Sequence, residues 1–461
     1  MAIQKTISPV DGTVYVEREQ ADPAQIEATL SRAASAQRSW RQVPVAERGR
    51  LCSAMVDAFV ARRDELATEL TWQMGRPIAA AGGEIGGFEE RARGMIGLAE
   101  AALAPIRLAD KPGFTRYITR EPLGVSFIVA PWNFPFMTAV NAIVPAIMAG
   151  NTVILKHSAQ TPLCAERIQQ AFDAAGLPEG VFQHLHLSHD ATEQLIRDRR
   201  IDHVSFTGSV AGGEMVERNA AGRFIASGLE LGGKDPAYIR GDVDLDAAVE
   251  GVMDGAFFNS GQSCCGIERI YVDQAIFDAF VERAVAWVKQ LRLGNPSDPA
   301  TTLGPLVRPA AADFVRGQIE EAVSAGAKAW IDPGDYPLSV PGSAYLAPQL
   351  LTGVDHSMRV MHEESFGPVV GIMPVASDDE AVALMNDSAF GLTAAVFTRD
   401  MAAGERLAQR LEAGTVFTNR CDYLDPELAW TGVKQSGRGC SLSRLGYETL
   451  TRPKSFHLKH A

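Results

Sequence analysis

Near the start of the chain, apolar side chains recur at helical intervals, as at Ile26, Leu30, Ala33 and Ala34, within a background rich in Ala, Glu, Arg and Leu. That spacing lines one face of a helix and predicts a helical region over about residues 23–107, behind a turn-rich start. Over 115–129 the pattern shortens to β-rich runs broken by Glu121-Pro122-Leu123-Gly124, which predicts a hairpin leading into a buried strand. Between 124 and 231, continuous apolar runs at 125–129, 152–155, 181–187 and 203–206 alternate with helical stretches. Runs of that kind belong to strands covered on both faces, so a parallel α/β sheet is expected. A second such rhythm extends from 246 to about 419, with strands expected at 269–272, 369–373 and 394–397. The Gly-rich tail ends in a strand-like stretch, 455–459, that can pair with the earlier hairpin and would leave an edge open to another subunit.

At 461 residues, 46% of them hydrophobic, the chain has enough apolar surface for two or three domains. A formal charge of −13 and a pI near 5.3 leave no basic footprint for a phosphate backbone, so no nucleic acid partner is expected. No apolar run reaches the roughly 18 residues of a bilayer span, and the first residues lack a charged-then-apolar leader. A cytoplasmic protein without membrane association is therefore expected. Cys52, Cys164, Cys264, Cys265, Cys421 and Cys440 are too few and too irregularly spaced for a disulfide framework or a zinc module. His184, His186 and His189 crowd one segment, but a strand would point the first two to one face with no carboxylate partner, so no metal site is expected.

Three segments carry chemistry. In Phe257-Phe258-Asn259-Ser260-Gly261-Gln262-Ser263-Cys264-Cys265-Gly266 a thiol follows a helix on a turn of small residues. Sulfur stays accessible there, and helix-end dipoles favour the thiolate that attacks carbonyls, although a structural cysteine fits the same segment taken alone. In Leu229-Glu230-Leu231-Gly232-Gly233-Lys234 a carboxylate closes an apolar strand ahead of glycines that admit another chain closely. Burial would raise its pKa toward that of a useful base, with a paired structural carboxylate as the equal alternative. Pro131-Trp132-Asn133-Phe134-Pro135 ends a strand with an amide between aromatics, either a donor to a developing oxyanion or a turn held by prolines.

These motifs join Phe206-Thr207-Gly208-Ser209, Glu364-Ser365-Phe366-Gly367-Pro368 and Lys434-Gln435-Ser436-Gly437, with Cys264 34 positions beyond Glu230. In this order they resemble the aldehyde dehydrogenase superfamily over nearly the whole chain, nearest to semialdehyde-type members of its hydrolytic branch. The resemblance implies an α/β fold with three parts: a Rossmann-type NAD(P)-binding domain (1–110 and 125–232), an α/β catalytic domain (233–435), and a small β oligomerisation arm with the C-terminal tail (111–124 and 436–461). It implies oxidation of a small-molecule aldehyde to a carboxylic acid with NAD or NADP, through a thiohemiacetal and a thioester on Cys264. Asn133 and the Cys264 backbone N–H are implied as the oxyanion hole, and Glu230 as activator of the hydrolytic water. For the cofactor it implies Lys156 at the adenosine ribose, Glu364 at the nicotinamide ribose, Phe366 and Trp132 beside the nicotinamide, and Gly208-Ser209 opening a helix under the diphosphate. A homodimer or homotetramer is implied too.

Three features depart from the pattern. Ala159 stands where strictly NAD-dependent relatives carry a Glu that accepts from the ribose 2′-hydroxyl. Without that carboxylate a 2′-phosphate is no longer repelled, His157 or Ser158 can donate to it, and NADP is permitted. Asn141 falls where succinate-semialdehyde dehydrogenases carry an Arg that clamps the substrate carboxylate; Arg420, in the stretch that lines the substrate mouth, is the replacement cation, with Asp422 beside it opposing. Phe134, Thr138, Asn141, Tyr423 and Trp430 are expected to form a partly aromatic tunnel. Finally, Arg438-Gly439-Cys440-Ser441 lacks a second Glu found near the inner site of many relatives. The rival functions are a CoA-acylating semialdehyde dehydrogenase, which usually lacks the Glu230 base, and a non-catalytic structural relative, which would be expected to lose Cys264, Glu230 or Asn133.

Overall fold

The computed structural model describes residues 2–461. Its start is more ordered than the sequence implies: Ile3–Ile7 pairs antiparallel with Val14–Glu19. On Ile3–Ile7 the side chains turned inward are Gln4 and Thr6, so the buried face of that strand is polar and an apolar pattern could not reveal it. Four helices follow, Pro23–Trp40, Val45–Val60, Arg63–Met74 and Ile78–Leu103. The first is fixed by a reciprocal cap, in which Gln25 N donates to Asp22 Oδ1 at 2.8 Å and Asp22 N to Gln25 Oε1 at 2.9 Å. Such a cap contributes about 1 kcal/mol. Leu30 and Ala33 of that helix are buried, as their spacing requires.

The first large sheet runs, in spatial order, Gly437–Arg438, Ala226–Glu230, His203–Thr207, Val125–Ala130, Thr152–His157 and Phe182–His184. All neighbours are parallel except the first pair. Sequence order reverses between Val125–Ala130 and His203–Thr207, so a crevice opens beyond the carboxyl ends of these two strands. The last strand is shorter than expected, because His186 turns to Glu166, with Nε2 at 3.2 Å from its carboxylate. That histidine therefore has the acidic partner the sequence did not reveal.

The second sheet runs Lys328–Ala329, Gln349–Thr352, Val369–Val375, Ile267–Asp273, Asp235–Ile239, Thr393–Phe397 and Thr415–Thr418, parallel apart from the first pair. Residues 231–234 join the two sheets.

The expected hairpin at 115–129 does not form. Phe114–Pro122 and Val125–Ala130 belong to different sheets, and the chain swings between them at Gly124, whose φ of 144° is open to glycine alone. Gly124 N donates to Asn151 Oδ1 and Val125 N to Asp202 Oδ2, both at 2.9 Å, which fixes the bend. Phe114–Pro122 pairs instead with Ile106–Arg107 and, along its whole length, with Thr451–Lys459. Among the described residues no helix is long and apolar enough to cross a membrane.

Candidate active site

Glu230 is the last residue of a strand of the first sheet and lies in register with Thr207 on the next strand. Its Oε2 accepts from Thr207 Oγ1 at 3.1 Å and its Oε1 from Ser441 Oγ at 2.5 Å. Burial raises its pKa, and the two hydroxyl donors only partly offset this. The position left without a second Glu thus carries a hydroxyl that grips the first.

The glycines after it are required by contact. A Cβ on Gly232 would stand 2.5 Å from the Glu364 carboxylate oxygens, and one on Gly233 would stand 2.2 Å from the Cys264 carbonyl oxygen. The junction between the sheets therefore touches the thiol-bearing loop backbone to backbone.

That loop begins where helix Leu245–Phe257 ends in a single tight turn, Phe258–Gly261, with Asn259 and Ser260 at φ 53° and 58°. Two successive non-glycine residues in the left-handed region cost about 1–3 kcal/mol each and need compensation. Asn259 Nδ2 donates to the backbone oxygens of Asn133 and Gln262, at 3.2 and 3.1 Å, and Ser260 Oγ to that of Gly304 at 2.9 Å. Asn133 Nδ2 spends one N–H on the Gln262 carbonyl at 3.2 Å, two residues before the thiol, which leaves its second N–H available. Behind them the buried Arg76 donates to the Asn133 backbone oxygen at 2.5 Å and to Asn259 Oδ1 at 3.1 Å, and is ion-paired with Glu84. Glu84 Oε1 also accepts from Phe136 N and Met137 N, both at 2.9 Å, at the start of helix Pro135–Ala149. Breaking one partner of such a buried pair costs about 3–5 kcal/mol. None of Arg76, Glu84, Asn259 or Gln262 stands out in sequence.

Cys264 is half-buried, while burial lifts the thiols of Cys52, Cys164, Cys421 and Cys440. Cys265 is buried beside Cys264 and lines the same cleft; its thiol donates to Asp422 Oδ1 at 2.8 Å, and its pKa is raised, first by a hydrogen bond with Cys264 and then by burial.

Across the crevice the residues matched to the cofactor come from separate strand ends. Lys156, on Thr152–His157, has no hydrogen-bond or ionic partner among the described residues, and burial lowers its pKa. Ser209 caps the 11-residue helix Val210–Ala220, accepting from Gly212 N at 3.2 Å, and Gly208 N donates to the Glu230 carbonyl at 3.0 Å. Glu364 Oε1 accepts from Gly233 N at 2.9 Å, its other oxygen is uncommitted, and burial pushes its pKa up to about 7. Phe366, at φ 51°, sets its ring edge-to-face with Trp132, centroids 5.6 Å apart. An unpartnered ammonium, a part-free carboxylate, a helix N-terminus and an aromatic corner in one crevice fit a nicotinamide dinucleotide. One expectation fails: His157 faces inward with Nε2 at 3.1 Å from the Pro135 carbonyl and Nδ1 at 3.1 Å from Thr161 Oγ1. Burial drives its pKa down to about 3, so it is no phosphate donor; Ser158 and Ala159 stay nearer the surface.

The Glu364–Phe366 loop is pinned by a pair that sequence reading missed. Glu268 accepts from Ser365 N and Phe366 N, both at 2.8 Å, and from the buried Lys234 Nζ at 2.5 Å. Lys234 and Glu268 meet because they stand at the starts of two neighbouring parallel strands of the second sheet.

On the other side of the thiol lies a cleft of about 470 Å³. Phe134, Thr138, Asn141, Arg420, Tyr423 and Trp430 all line it together with Cys264 and Glu230. Arg420 is exposed, its guanidinium 3.6 Å from the Tyr423 ring centroid, and Tyr423 in turn donates to Glu90 at 2.5 Å. It is therefore a feature of the mouth rather than an inner clamp.

A crevice at the switch point of a parallel sheet, opening onto a thiol with a buried carboxylate within the same cleft, is the arrangement of a pyridine-nucleotide oxidoreductase that works through sulfur. The sequence model of the Aldehyde dehydrogenase family matches residues 2–456, and the chain belongs to that family. It is 36% identical over 453 residues to the succinate-semialdehyde dehydrogenase (NADP(+)) of Mycolicibacterium paratuberculosis, covering 98% of this chain and 95% of that one. Among solved structures it is similar to the NAD-dependent aldehyde dehydrogenase of Sinorhizobium meliloti, with a TM-score of 0.95, 33% identity, and 99% and 92% of the two chains covered. The succinic semialdehyde dehydrogenase of Streptococcus pyogenes, solved with NADP+, gives a TM-score of 0.94 at 29% identity over 99% and 100%. The protein is an NAD(P)-dependent aldehyde dehydrogenase that oxidises an aldehyde to a carboxylic acid.

Proposed function

We propose that Cys264 is the nucleophile, that Asn133 Nδ2 and the Cys264 backbone N–H receive the oxyanion, and that Glu230 activates the hydrolytic water. The observation that carries this reading is the convergence of Cys264 and Glu230 on one cleft, with the Asn133 amide tied to the carbonyl two residues before the thiol. Attack of the thiolate on the aldehyde carbon forms the C–S bond, and the carbonyl electron pair moves to the oxygen held by the two N–H groups. Bound NAD(P)+ accepts the hydride leaving that carbon, which leaves a thioester on Cys264. Glu230 then removes a proton from water as its oxygen attacks the thioester carbon; the C–S bond breaks, the acid departs and the thiolate returns. Lys156, Glu364, Phe366, Trp132 and the Gly208-Ser209 turn hold and orient the cofactor in this reading. Acid quenching during turnover, followed by mass spectrometry of peptides, is expected to find the acyl group on Cys264. Acyl on Cys265, or on neither, overturns the assignment.

Because the protonated acid cannot take a proton, the hydrolytic rate rises with pH as Glu230 ionises. Burial places that rise above the ordinary carboxylate value of 4.5. A kcat profile that is already flat at 4.5 and above contradicts this.

NADP is the cofactor we propose as preferred, since no carboxylate stands at Ala159 and Ser158 is at hand for a 2′-phosphate. Ala159→Glu is expected to weaken NADP about 10- to 100-fold relative to NAD, the effect of a like charge a few ångströms away. Equal changes in KM for both cofactors would refute the idea.

The substrate class we propose is an aldehyde that carries a carboxylate, in line with the names of the relatives. The domain boundaries expected from sequence stand as a proposal, as does association through the arm, supported by the outer edge of Thr451–Lys459, which pairs with no strand among the described residues.

A further inference from the structure

The cation absent at Asn141 has a counterpart on a facing helix. Helices Ile78–Leu103 and Pro135–Ala149 approach so closely that a Cβ on Gly87 would stand 2.0 Å from the Met137 sulfur. One turn beyond Gly87, Arg91 reaches across and donates Nη1 to the Met137 backbone oxygen at 3.0 Å. Arg91 is only 8% exposed, makes no salt bridge among the described residues, and lines the cleft with Nε and Nη2 uncommitted. One turn beyond Met137 stands Asn141, 2% exposed, which also lines the cleft and has no partner among the described residues for either Nδ2 or Oδ1. Proteins rarely bury an unpaired guanidinium beside an unpaired amide unless a ligand completes them.

The acids nearby are already engaged. Glu84 is paired with Arg76, Glu230 accepts two hydroxyls, and Asp422 accepts the Cys265 thiol. Glu90 accepts the Tyr423 hydroxyl and is exposed, as is Asp254, the remaining acid of the cleft.

We propose that Arg91 and Asn141 form the anion-binding end of the substrate cleft and hold the carboxylate of the substrate while its aldehyde meets Cys264. Nε and Nη2 present two parallel donors to the two carboxylate oxygens, and Asn141 Nδ2 adds a third. The inference rests on the carboxylated-aldehyde reading above, but places the cation on Arg91, which no motif marks.

The test compares kcat/KM for 4-oxobutanoate, pentanal and 4-aminobutanal in wild type, Arg91→Gln and Arg91→Lys. Arg91→Gln is expected to lose about 100-fold more on 4-oxobutanoate than on pentanal, mostly in KM, and Arg91→Lys to recover part of that difference. Equal losses on the two aldehydes mean a purely structural role and overturn the proposal, as does a wild-type preference for 4-aminobutanal. Calorimetric binding of succinate needs no turnover. It is expected to persist in Cys264→Ser and to weaken by at least about 10-fold in Arg91→Gln. Succinate binding that is equal in these two variants overturns the proposal even if the Cys264 mechanism holds, and loss of turnover in Cys264→Ser with succinate still bound separates the two readings.

Discussion

Cys264→Ser is expected to fold with an unchanged thermal midpoint and to lose at least about 10⁴-fold in NAD(P)H formation. A serine hydroxyl is nucleophilic only with a base against it. Among the described residues no carboxylate or imidazole is hydrogen-bonded to the side chain at 264; Glu230 bonds to Thr207 and Ser441 instead. Sulfur therefore contributes its acidity as well as its polarisability, and oxygen contributes neither. Stopped-flow measurement at saturating aldehyde decides the matter: a variant retaining more than a few per cent of wild-type rate would move the nucleophile elsewhere.

Glu230→Gln divides the reaction at its midpoint. Acylation does not use the carboxylate, so one equivalent of reduced cofactor should still form in a rapid burst. Hydrolysis then slows by about 10²- to 10⁴-fold, and the acyl-enzyme accumulates. The amide retains an oxygen for one hydroxyl and offers an N–H to the other, so Thr207 and Ser441 remain satisfied and the strand end keeps its place. Loss of the burst itself would make Glu230 part of acylation, and an undiminished steady state would remove it from the mechanism. The acid limb of the pH profile should vanish with it.

The parallel strands and the junction glycines are readable because each depends on local pattern, and the candidate site residues are proposed from local motifs in the same way. Apolar runs specify doubly covered strands, and Gly232-Gly233 specifies close backbone approach. What stayed hidden depends on partners distant in sequence. Gln4 and Thr6 look like a solvated strand face, yet other parts of the chain bury them. Arg91 sits among Glu89, Glu90 and Arg93 and reads as an exposed helix face until the largely apolar helix Pro135–Ala149 is laid against it. Arg76, Glu84 and Asn259 position Asn133 from three separate segments, and only the fold brings them together. The hairpin at 115–129 was misread for the converse reason: its two runs have matching local character, and Gly124 sends them to different sheets.

The burial of the other five thiols gives the protein a built-in chemical handle. Each of Cys52, Cys164, Cys265, Cys421 and Cys440 is held toward its protonated, unreactive form, Cys265 first by its hydrogen bond with Cys264 and the others by burial, and Cys264 lines the cleft. A limiting dose of a small alkylating reagent at neutral pH should therefore tag one position per chain. Such labelling would count competent molecules in a preparation directly, and would let a reporter dye or crosslinker be installed without removing a single native cysteine.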